Sequence, residues 1–194
     1  GQRFMLLLEN HPWFNVKVLA ASARSAGKSY KDAVGIKWAF DCPIPEKYCD
    51  MKVMDAEADM DEIAKPVDFV FCAVNMDQAQ TKLLEEAYAK KEVPVVSNNS
   101  AHRFTPDVPM IIPEVNPNHL EIIASQKQRL GTKRGFVAVK SNCSLQSYVP
   151  ALYPLDKFGV EKVLVCSGSG GGYIEDAINL GFDALITADI KHHH

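Results

Sequence analysis

Cys143 lies in the run Ser-Asn-Cys-Ser, between a predicted strand over 136–139 and a predicted helix over 144–157. A cysteine at the start of a helix meets unpaired backbone N–H groups and the positive end of the helix dipole, which both favour the thiolate. A thiolate in this place can attack an acyl carbon while N–H groups hold the developing oxyanion. Cys143 is therefore a candidate nucleophile. The alternative is a cysteine at a helix start with no chemical role.

A polar turn follows the predicted strand over 15–21, and it contains Ser22, Arg24 and Ser25 but no acidic residue. In a dinucleotide-binding fold, the end of this strand meets the adenosine ribose. An acidic residue there selects NAD, whereas hydroxyl groups and a cation accommodate a 2′-phosphate. The residue types thus fit NADP, and a solvated polar turn without a ligand is the alternative.

Three further groups of residues could bind an anion or a metal. Arg103, in the run 97–103, carries a guanidinium fork that pairs with phosphate or carboxylate oxygens. The glycine-rich run 167–172 could cradle an anion, although it matches no phosphate-loop fingerprint. Asp189 and His192–His194 are residue types that ligate metals. The alternatives are a surface arginine, a flexible turn and a histidine tag, and we predict no metal site.

Strands and helices alternate along the chain. The predicted strands cover 15–21, 51–54, 67–74, 93–97, 136–139, 160–166 and 183–188. The predicted helices cover 2–10, 77–91, 119–130, 144–157 and 173–180. The rest of 30–60 is expected to be irregular because proline and glycine interrupt it. The alternation predicts an α/β fold with a mostly parallel sheet flanked by helices, in which ligands bind beyond the carboxyl ends of the strands.

Two of these segments carry predictions about burial. The run 67–74, Val-Asp-Phe-Val-Phe-Cys-Ala-Val, is almost continuously apolar, which is typical of a strand covered on both faces. The helix over 77–91 has apolar residues at helical spacing, which predicts the face that it turns to the core. These positions are Ala79, Leu83, Leu84, Ala87 and Tyr88.

The composition is that of a soluble globular protein: 194 residues, 47% hydrophobic and 23% charged, with a net charge of −3. The negative charge argues against a broad surface for nucleic acid or anionic membranes. No apolar run approaches the roughly 18 residues that span a bilayer, and no signal-peptide pattern opens the chain, so we expect a cytoplasmic protein. The five cysteines are irregularly spaced, which favours reduced thiols over disulfides.

Several separated runs together resemble the aspartate-semialdehyde dehydrogenases of the archaeal and fungal type. They are GQRFMLLLENHPWFNVKVLAASARSAGKSYKDAV, VFCAV, SNNSAHRF, DVPMIIPEVNPNHLEII and SNCS, in that order. The resemblance covers about residues 1–165. It implies a Rossmann-like domain and the reduction of β-aspartyl phosphate, a small acyl phosphate, by NADPH.

The resemblance also implies roles for individual residues. Cys143 would be the nucleophile that forms the acyl-enzyme, with Asn142 beside it, and Arg103 would hold the acyl phosphate. The residues implied to bind NADP are Ser22, Arg24 and Ser25 at the 2′-phosphate and Ala73 on the nicotinamide side. The family's glycine-rich loop and first strand lie before Gly1 in this alignment, and its catalytic histidine has no counterpart, so turnover is expected to be impaired.

Residues 166–194, CSGSGGGYIEDAINLGFDALITADIKHHH, are instead similar to a fragment of the Nif-three-like dinuclear metal-binding proteins, also called GTP cyclohydrolase type 2. The chain therefore reads as a chimera, with an NADP-binding domain over 1–158 and a strand–loop–helix–strand unit over 159–194. We hypothesise that the strand 160–166 inserts between 15–21 and 67–74 and completes the sheet. A metal-binding hydrolase and a non-catalytic α/β scaffold are the alternative functions, and no oligomeric state is predicted.

Overall fold

The computed structural model describes residues 1–189, and the last of these by its backbone alone. The helices are α1 Gln2–Leu8, α2 Tyr30–Val34, α3 Glu46–Cys49, α4 Met60–Ala64, α5 Gln78–Lys90, α6 Ile123–Leu130, α7 Cys143–Leu152 and α8 Ile174–Asn179. The strands are β1 Leu19–Ala21, β2 Val53–Asp55, β3 Val70–Cys72, β4 Val95–Ser97, β5 Met110–Ile111, β6 Val137–Lys140, β7 Val163–Ser169 and β8 Ala184–Asp189. The chain divides into two compact units: the first unit, Gly1–Asn142, and the second unit, from Cys143 onward.

The paired strands of the first unit are parallel. β1 pairs with β2, and a four-stranded sheet has the order β3-β4-β6-β5. In the second unit β7 pairs in parallel with β8, and α8 connects them. Parallel strands joined through helices are what the alternating pattern predicts, so the α/β fold class is confirmed. Among residues 1–189, no helix is long and apolar enough to cross a bilayer.

Two apolar clusters lie in the first unit. The larger one lies on the four-stranded sheet, where α5 and α6 contribute Leu84, Tyr88 and Leu130 and the strands contribute Val95 and Val137. The smaller one joins α1 to the β1–β2 pair around buried Tyr48. Together they hold the carboxyl ends of β1, β3, β4 and β6 in place, and those ends are followed by the candidate site residues.

The inward face of α5 differs from the predicted one. The helix begins after Asp77, whose carboxylate accepts a hydrogen bond from the backbone N–H of Gln80, so the predicted helix is confirmed. Its buried residues are Thr81, Leu84, Glu85, Tyr88 and Ala89. Leu83 is 71% exposed, so the prediction that it faces the core is wrong. Of the two polar residues at inward positions, Glu85 accepts hydrogen bonds from a loop outside the helix, whereas the hydroxyl of Thr81 donates to the carbonyl oxygen of the N-cap residue Asp77.

Two local predictions fail in the first unit. The stretch 30–60 contains the short helices α2 and α3 rather than irregular structure alone, and α4 begins at its last residue. One of them starts at Ser29, whose hydroxyl oxygen accepts a hydrogen bond from the N–H of Asp32 and caps the helix. In β3, Phe71 is 36% exposed, although the apolar run predicts cover on both faces. β3 is an edge strand of its sheet, and the ring of Phe4, stacked at 4.7 Å, covers only part of the Phe71 side chain.

The predicted joining of the two parts stays a prediction. β7 covers most of 160–166 and pairs with β8 within the second unit. The hypothesis that 160–166 inserts between 15–21 and 67–74 concerns how the two units meet, and it stays a prediction. The compact units divide after Asn142, whereas the sequence predicts a boundary at 158/159.

Candidate functional site

The loop 97–103 follows β4 and is tied to helix α5 by a buried carboxylate. Glu85 is 1% exposed, and its Oε1 accepts a hydrogen bond from the hydroxyl of Ser97 at 2.5 Å. The same oxygen accepts from Nδ2 of Asn99 at 3.0 Å. The backbone N–H of Asn99 donates to the Ser97 hydroxyl oxygen at 3.0 Å. One carboxylate oxygen thus fixes the first turn of the loop.

His102 anchors the other end of this loop. It is 1% exposed, with Nδ1 at 3.1 Å from the hydroxyl of Thr105 and Nε2 at 3.4 Å from the carbonyl oxygen of Lys82. Burial lowers its pKa, against the opposing charge of Glu85, whose Oε2 lies 3.9 Å from Nε2. The imidazole is therefore neutral at neutral pH, and Oε2 is buried without a hydrogen-bond partner.

Arg103 follows this anchor and reaches the carboxyl end of β6. Its Nε donates to the carbonyl oxygen of Lys140 at 3.3 Å, and Nη2 donates to that of Ser141 at 3.4 Å. These bonds use part of the guanidinium fork and leave further N–H donors for an anion. The half-buried Arg103 is thus braced on the backbone that leads directly into Asn142.

Asn142 is the last residue of the first unit, and Cys143 is the first residue of α7. Both side chains are exposed. The predicted junction of strand and helix is confirmed, with the helix beginning one residue earlier than expected and ending at Leu152, where a 3₁₀ segment continues. The chemical roles of Asn142 and Cys143 stay predictions.

The polar turn after β1 has the form that its residues predict. Ser22 accepts a backbone hydrogen bond from the N–H of Ser25 at 2.9 Å, and Gly27, at φ +82°, donates to the carbonyl oxygen of Val53 at 2.8 Å. Ser22 and Arg24 are exposed and Ser25 is half-buried. No carboxylate among residues 1–189 forms an ion pair with Arg24. The turn therefore offers two hydroxyl groups and an unpaired cation.

Two cavities open near these elements in the first unit. One, of about 180 Å³, is mainly apolar and adjoins the turn; it is lined by Gly1, Met5, Leu19, Ala20, Ala21, Ser25, Tyr30, Ala33, Val34 and Val53. The other, of about 190 Å³, is mainly polar and lies after β3 and β4; it is lined by Val74, Asn75, Met76, Gln78, Thr81, Asn99, Ser100 and Ala101. Ala73 does not line the second cavity itself but directly precedes Val74, which does.

Glu85 and Asn99 are the site residues that sequence reasoning missed. Asn99 belongs to the run 97–103, in which the residue types single out only Arg103. The position of Glu85 does indicate burial, because it lies on the inward face of α5 between Leu84 and Tyr88. A charged residue in an apolar stripe needs a compensating partner, so its presence indicates a buried polar network.

The cysteines differ in environment. Cys143 and Cys42 are exposed, whereas Cys72 is buried in β3. Burial, together with the charge of Glu85, raises the pKa of Cys72 to about 12, so this thiol stays protonated at neutral pH. No disulfide joins any of the five cysteines, all of which lie among residues 1–189.

The predicted absence of a metal site can be examined only among the described residues, which leave out part of the run in question. Among the described residues, no group of three or more histidine, cysteine or acidic side chains could hold a metal ion. The side chain of Asp189 and His192–His194 lie outside the described residues. The resemblance of 166–194 to the Nif-three-like proteins likewise stays a prediction.

Comparison with known proteins agrees with the first resemblance. Residues 1–123 match the family described as "Semialdehyde dehydrogenase, NAD binding domain". The curated aspartate-semialdehyde dehydrogenase of Aspergillus fumigatus is 40% identical over 178 residues, which cover 89% of this chain and 47% of that protein. The enzyme of Methanothermobacter thermautotrophicus is 41% identical over 177 residues, covering 89% and 48%. The chain thus spans about half the length of these relatives.

Solved structures agree in fold. Aspartate semialdehyde dehydrogenase with NADP from Candida albicans matches with a TM-score of 0.70 at 35% identity, covering 86% of this chain and 46% of that chain. Aspartate semialdehyde dehydrogenase II complexed with ASA from Vibrio cholerae matches with a TM-score of 0.55 at 26% identity, covering 86% and 47%. With a family match over more than half of its length, the chain belongs to the semialdehyde dehydrogenase NAD-binding domain family.

Proposed function

We propose that this chain supplies the NADP-binding part and the cysteine nucleophile of an aspartate-semialdehyde dehydrogenase, which reduces β-aspartyl phosphate to aspartate semialdehyde. One observation carries the proposal: Cys143 opens helix α7 directly after the strand end on which Arg103 is braced. Relatives that carry this enzyme name match 89% of the chain. The proposed substrates are small soluble metabolites, which agrees with the expected cytoplasmic location and gives no role to nucleic acid.

In the proposed reaction, the Cys143 thiolate attacks the acyl carbon of β-aspartyl phosphate. The carbon–oxygen bond to the phosphate breaks, inorganic phosphate leaves with the electron pair, and a thioester to Sγ remains. The free N–H donors of Arg103 bind the phosphate oxygens and stabilise the charge on the leaving group. When bound, NADPH supplies the hydride that reduces the thioester carbonyl; the carbon–sulfur bond then breaks and the thiolate returns.

The residues at the end of β1 fit a 2′-phosphorylated dinucleotide. Ser22 and Ser25 provide hydroxyl groups, Arg24 provides a cation that no carboxylate of the described residues neutralises, and the adjoining apolar cavity can take an adenine ring. An exposed guanidinium prefers a phosphate to a ribose hydroxyl. We therefore propose NADP, rather than NAD, as the cofactor.

Acylation of the protein tests the proposed nucleophile without requiring complete turnover. The chain is mixed with enzymatically prepared β-aspartyl phosphate, and intact and peptide mass spectrometry locate the added aspartyl group. We expect one aspartyl group on Cys143 and none after Cys143→Ser. Cys42→Ser is the matched control because Cys42 is also exposed, and this variant should still be acylated. Absence of acylation, or equal acylation of Cys42 and Cys143, would contradict the proposal.

Cofactor choice is tested separately by calorimetric titration with NADP and NAD. A hydrogen-bonded charge pair contributes about 1.5–3 kcal/mol, so Arg24→Ala should weaken NADP binding ~10-fold or more. The affinity for NAD should change much less, because NAD lacks the 2′-phosphate. Equal loss for both dinucleotides would place Arg24 elsewhere on the cofactor.

A further inference from the structure

The buried carboxylate of Glu85 determines which way the amide of Asn99 faces. Oε1 already accepts the hydrogen bond from the Ser97 hydroxyl, so the group that meets the same oxygen at 3.0 Å is the donor Nδ2 and not the acceptor Oδ1. The second Nδ2 hydrogen points to Sγ of Cys72 at 3.4 Å. Both amide donors are therefore used on the inner side. Oδ1 is left as the outward-facing atom of Asn99.

Asn99 lines the polar cavity together with Asn75 and Thr81, beyond the carboxyl ends of β3 and β4. No group among residues 1–189 donates to Oδ1. Ligands of α/β sheets bind at this edge. The cavity therefore presents an oriented acceptor to which a ligand N–H group can donate.

Glu85 is not needed at its position for packing. It is 1% exposed on a helix face that also carries Leu84 and Tyr88, and burying a carboxylate there carries a cost that an apolar residue would avoid. Its Oε1 receives two donors from the loop, whereas Oε2 receives none. The role of the carboxylate is therefore to orient other groups: Oε1 holds the Ser97 hydroxyl and the Asn99 amide in one arrangement.

We propose that Glu85 is a positioning residue for the nicotinamide, and that it fixes Asn99 so that Oδ1 accepts a hydrogen bond from the primary carboxamide of that ring. The inference rests on the proposed binding of NADP. The turn at Ser22 to Ser25 and the apolar cavity fit the phosphorylated adenosine end of the cofactor. The polar cavity then remains for the other end, whose carboxamide carries an N–H group that can donate to Oδ1.

The test compares NADP with its 3-acetylpyridine analogue, in which a methyl group replaces the carboxamide NH₂. The wild-type chain should bind NADP about 10-fold more tightly than the analogue, because the analogue leaves Oδ1 without a donor. Glu85→Leu removes the acceptor, so the amide of Asn99 can turn and present Nδ2 to the acetyl oxygen. The ratio of the dissociation constants of the analogue and NADP should then lie within about 2-fold of 1, because the amide of Asn99 can form one hydrogen bond with either ligand.

Three further variants make the test specific. Asn99→Ala should lose the preference as Glu85→Leu does, and it keeps the buried helix face intact. Glu85→Gln keeps a carbonyl oxygen for Ser97 and Asn99, so it should retain the preference. Glu86→Gln is the matched control on the same helix, since Glu86 pairs with Arg129 away from the loop; its preference should equal that of the wild type.

The outcomes separate this inference from the proposed function. If the wild-type chain binds neither dinucleotide, both fail. If it binds NADP but shows no preference over the analogue, or if Asn99→Ala keeps the preference, the contact with the carboxamide is overturned while NADP binding stands. If Asn99→Ala loses the preference but folded Glu85→Leu keeps it, the positioning role of Glu85 is overturned.

Discussion

The first and second units are stabilised in different ways. The first unit has two apolar clusters and a set of buried polar residues with partners on other elements. In the second unit, among its residues up to 188, only Gly170, Gly171 and Ala177 are buried. Its contacts are mainly the parallel pair β7–β8 and local hydrogen bonds such as those of Asp183. The same type of substitution should therefore lower the free energy of unfolding far more in the first unit than in the second.

Gly135→Ala should have the largest effect. A Cβ at this position would lie 1.8 Å from the carbonyl oxygen of Ala89, so the backbone of α5 or of the loop must move. We expect the free energy of unfolding to fall by on the order of 4 kcal/mol or more, since backbone overlap is among the severest changes. Both tryptophans, Trp13 and Trp38, lie in the first unit, so urea denaturation followed by tryptophan fluorescence measures this loss.

The matched substitution in the second unit is Gly170→Ala. Its Cβ would lie 2.6 Å from the hydroxyl oxygen and 2.8 Å from the Cβ of Thr187, so the side chain must turn and its strand β8 must shift slightly, whereas no backbone atom is overlapped directly. We expect a loss of about 1–3 kcal/mol, as for an overpacked site, seen as faster hydrogen exchange in β7 and β8 with an unchanged tryptophan transition. A larger loss for Gly170→Ala than for Gly135→Ala would refute the comparison.

Leu84→Ala and Ile178→Ala compare the two units by a purely apolar truncation. Leu84 is 5% exposed in the larger cluster, and Ile178 is 70% exposed on α8. Leu84→Ala should lower the free energy of unfolding by about 3 kcal/mol, because it removes buried surface and leaves a cavity. Ile178→Ala should change it by less than about 0.5 kcal/mol. Denaturation followed by circular dichroism checks both, and equal losses would count against the contrast.

Helix α5 shows how far sequence patterns reach. The spacing of its apolar residues predicts its extent well, since the predicted 77–91 is observed as Gln78–Lys90. The spacing does not predict the inward face of α5, because the partners that keep Glu85 buried lie in the loop after β4. Hydropathy assigns such a residue to solvent, and its position between Leu84 and Tyr88 is a sequence indication to the contrary, whereas its hydrogen-bond partners are seen only in the fold.

The short strand β5 is missing from the strands predicted from the sequence, for a related reason. Met110–Ile111 has no local pattern, and its partner residues, Val139 and Lys140, come much later in the chain. Asn116 completes its far side by accepting from the N–H of Ile112 and donating to the carbonyl oxygen of Met110. By contrast, the sequence does predict that Arg103 follows β4 and that Cys143 begins a helix after β6, because the alternation of strands and helices is a local pattern. The chemical roles of both residues stay predictions.

A smaller contrast concerns two carboxylates that bind backbone N–H groups. Glu92 accepts from the N–H groups of Lys133, Arg134 and Gly135, which lowers its pKa from 4.5 to about 2. Because the folded pKa lies below the unfolded one, its contribution is fully present above about pH 4.5 and is lost as the pH falls towards 2. Asp183 binds the N–H groups of its own β7–β8 unit in the same way.

Glu92→Gln should therefore lower the free energy of unfolding at neutral pH and flatten its dependence on pH between about 4.5 and 2. The amide can still accept at one oxygen, but its NH₂ group faces donors that the carboxylate had satisfied. The measurement is urea denaturation by tryptophan fluorescence at several pH values. Asp183→Asn is the control, because Asp183 fastens only the second unit and the tryptophans lie in the first. A steep acid dependence that survives Glu92→Gln would show that other carboxylates govern acid unfolding of the first unit.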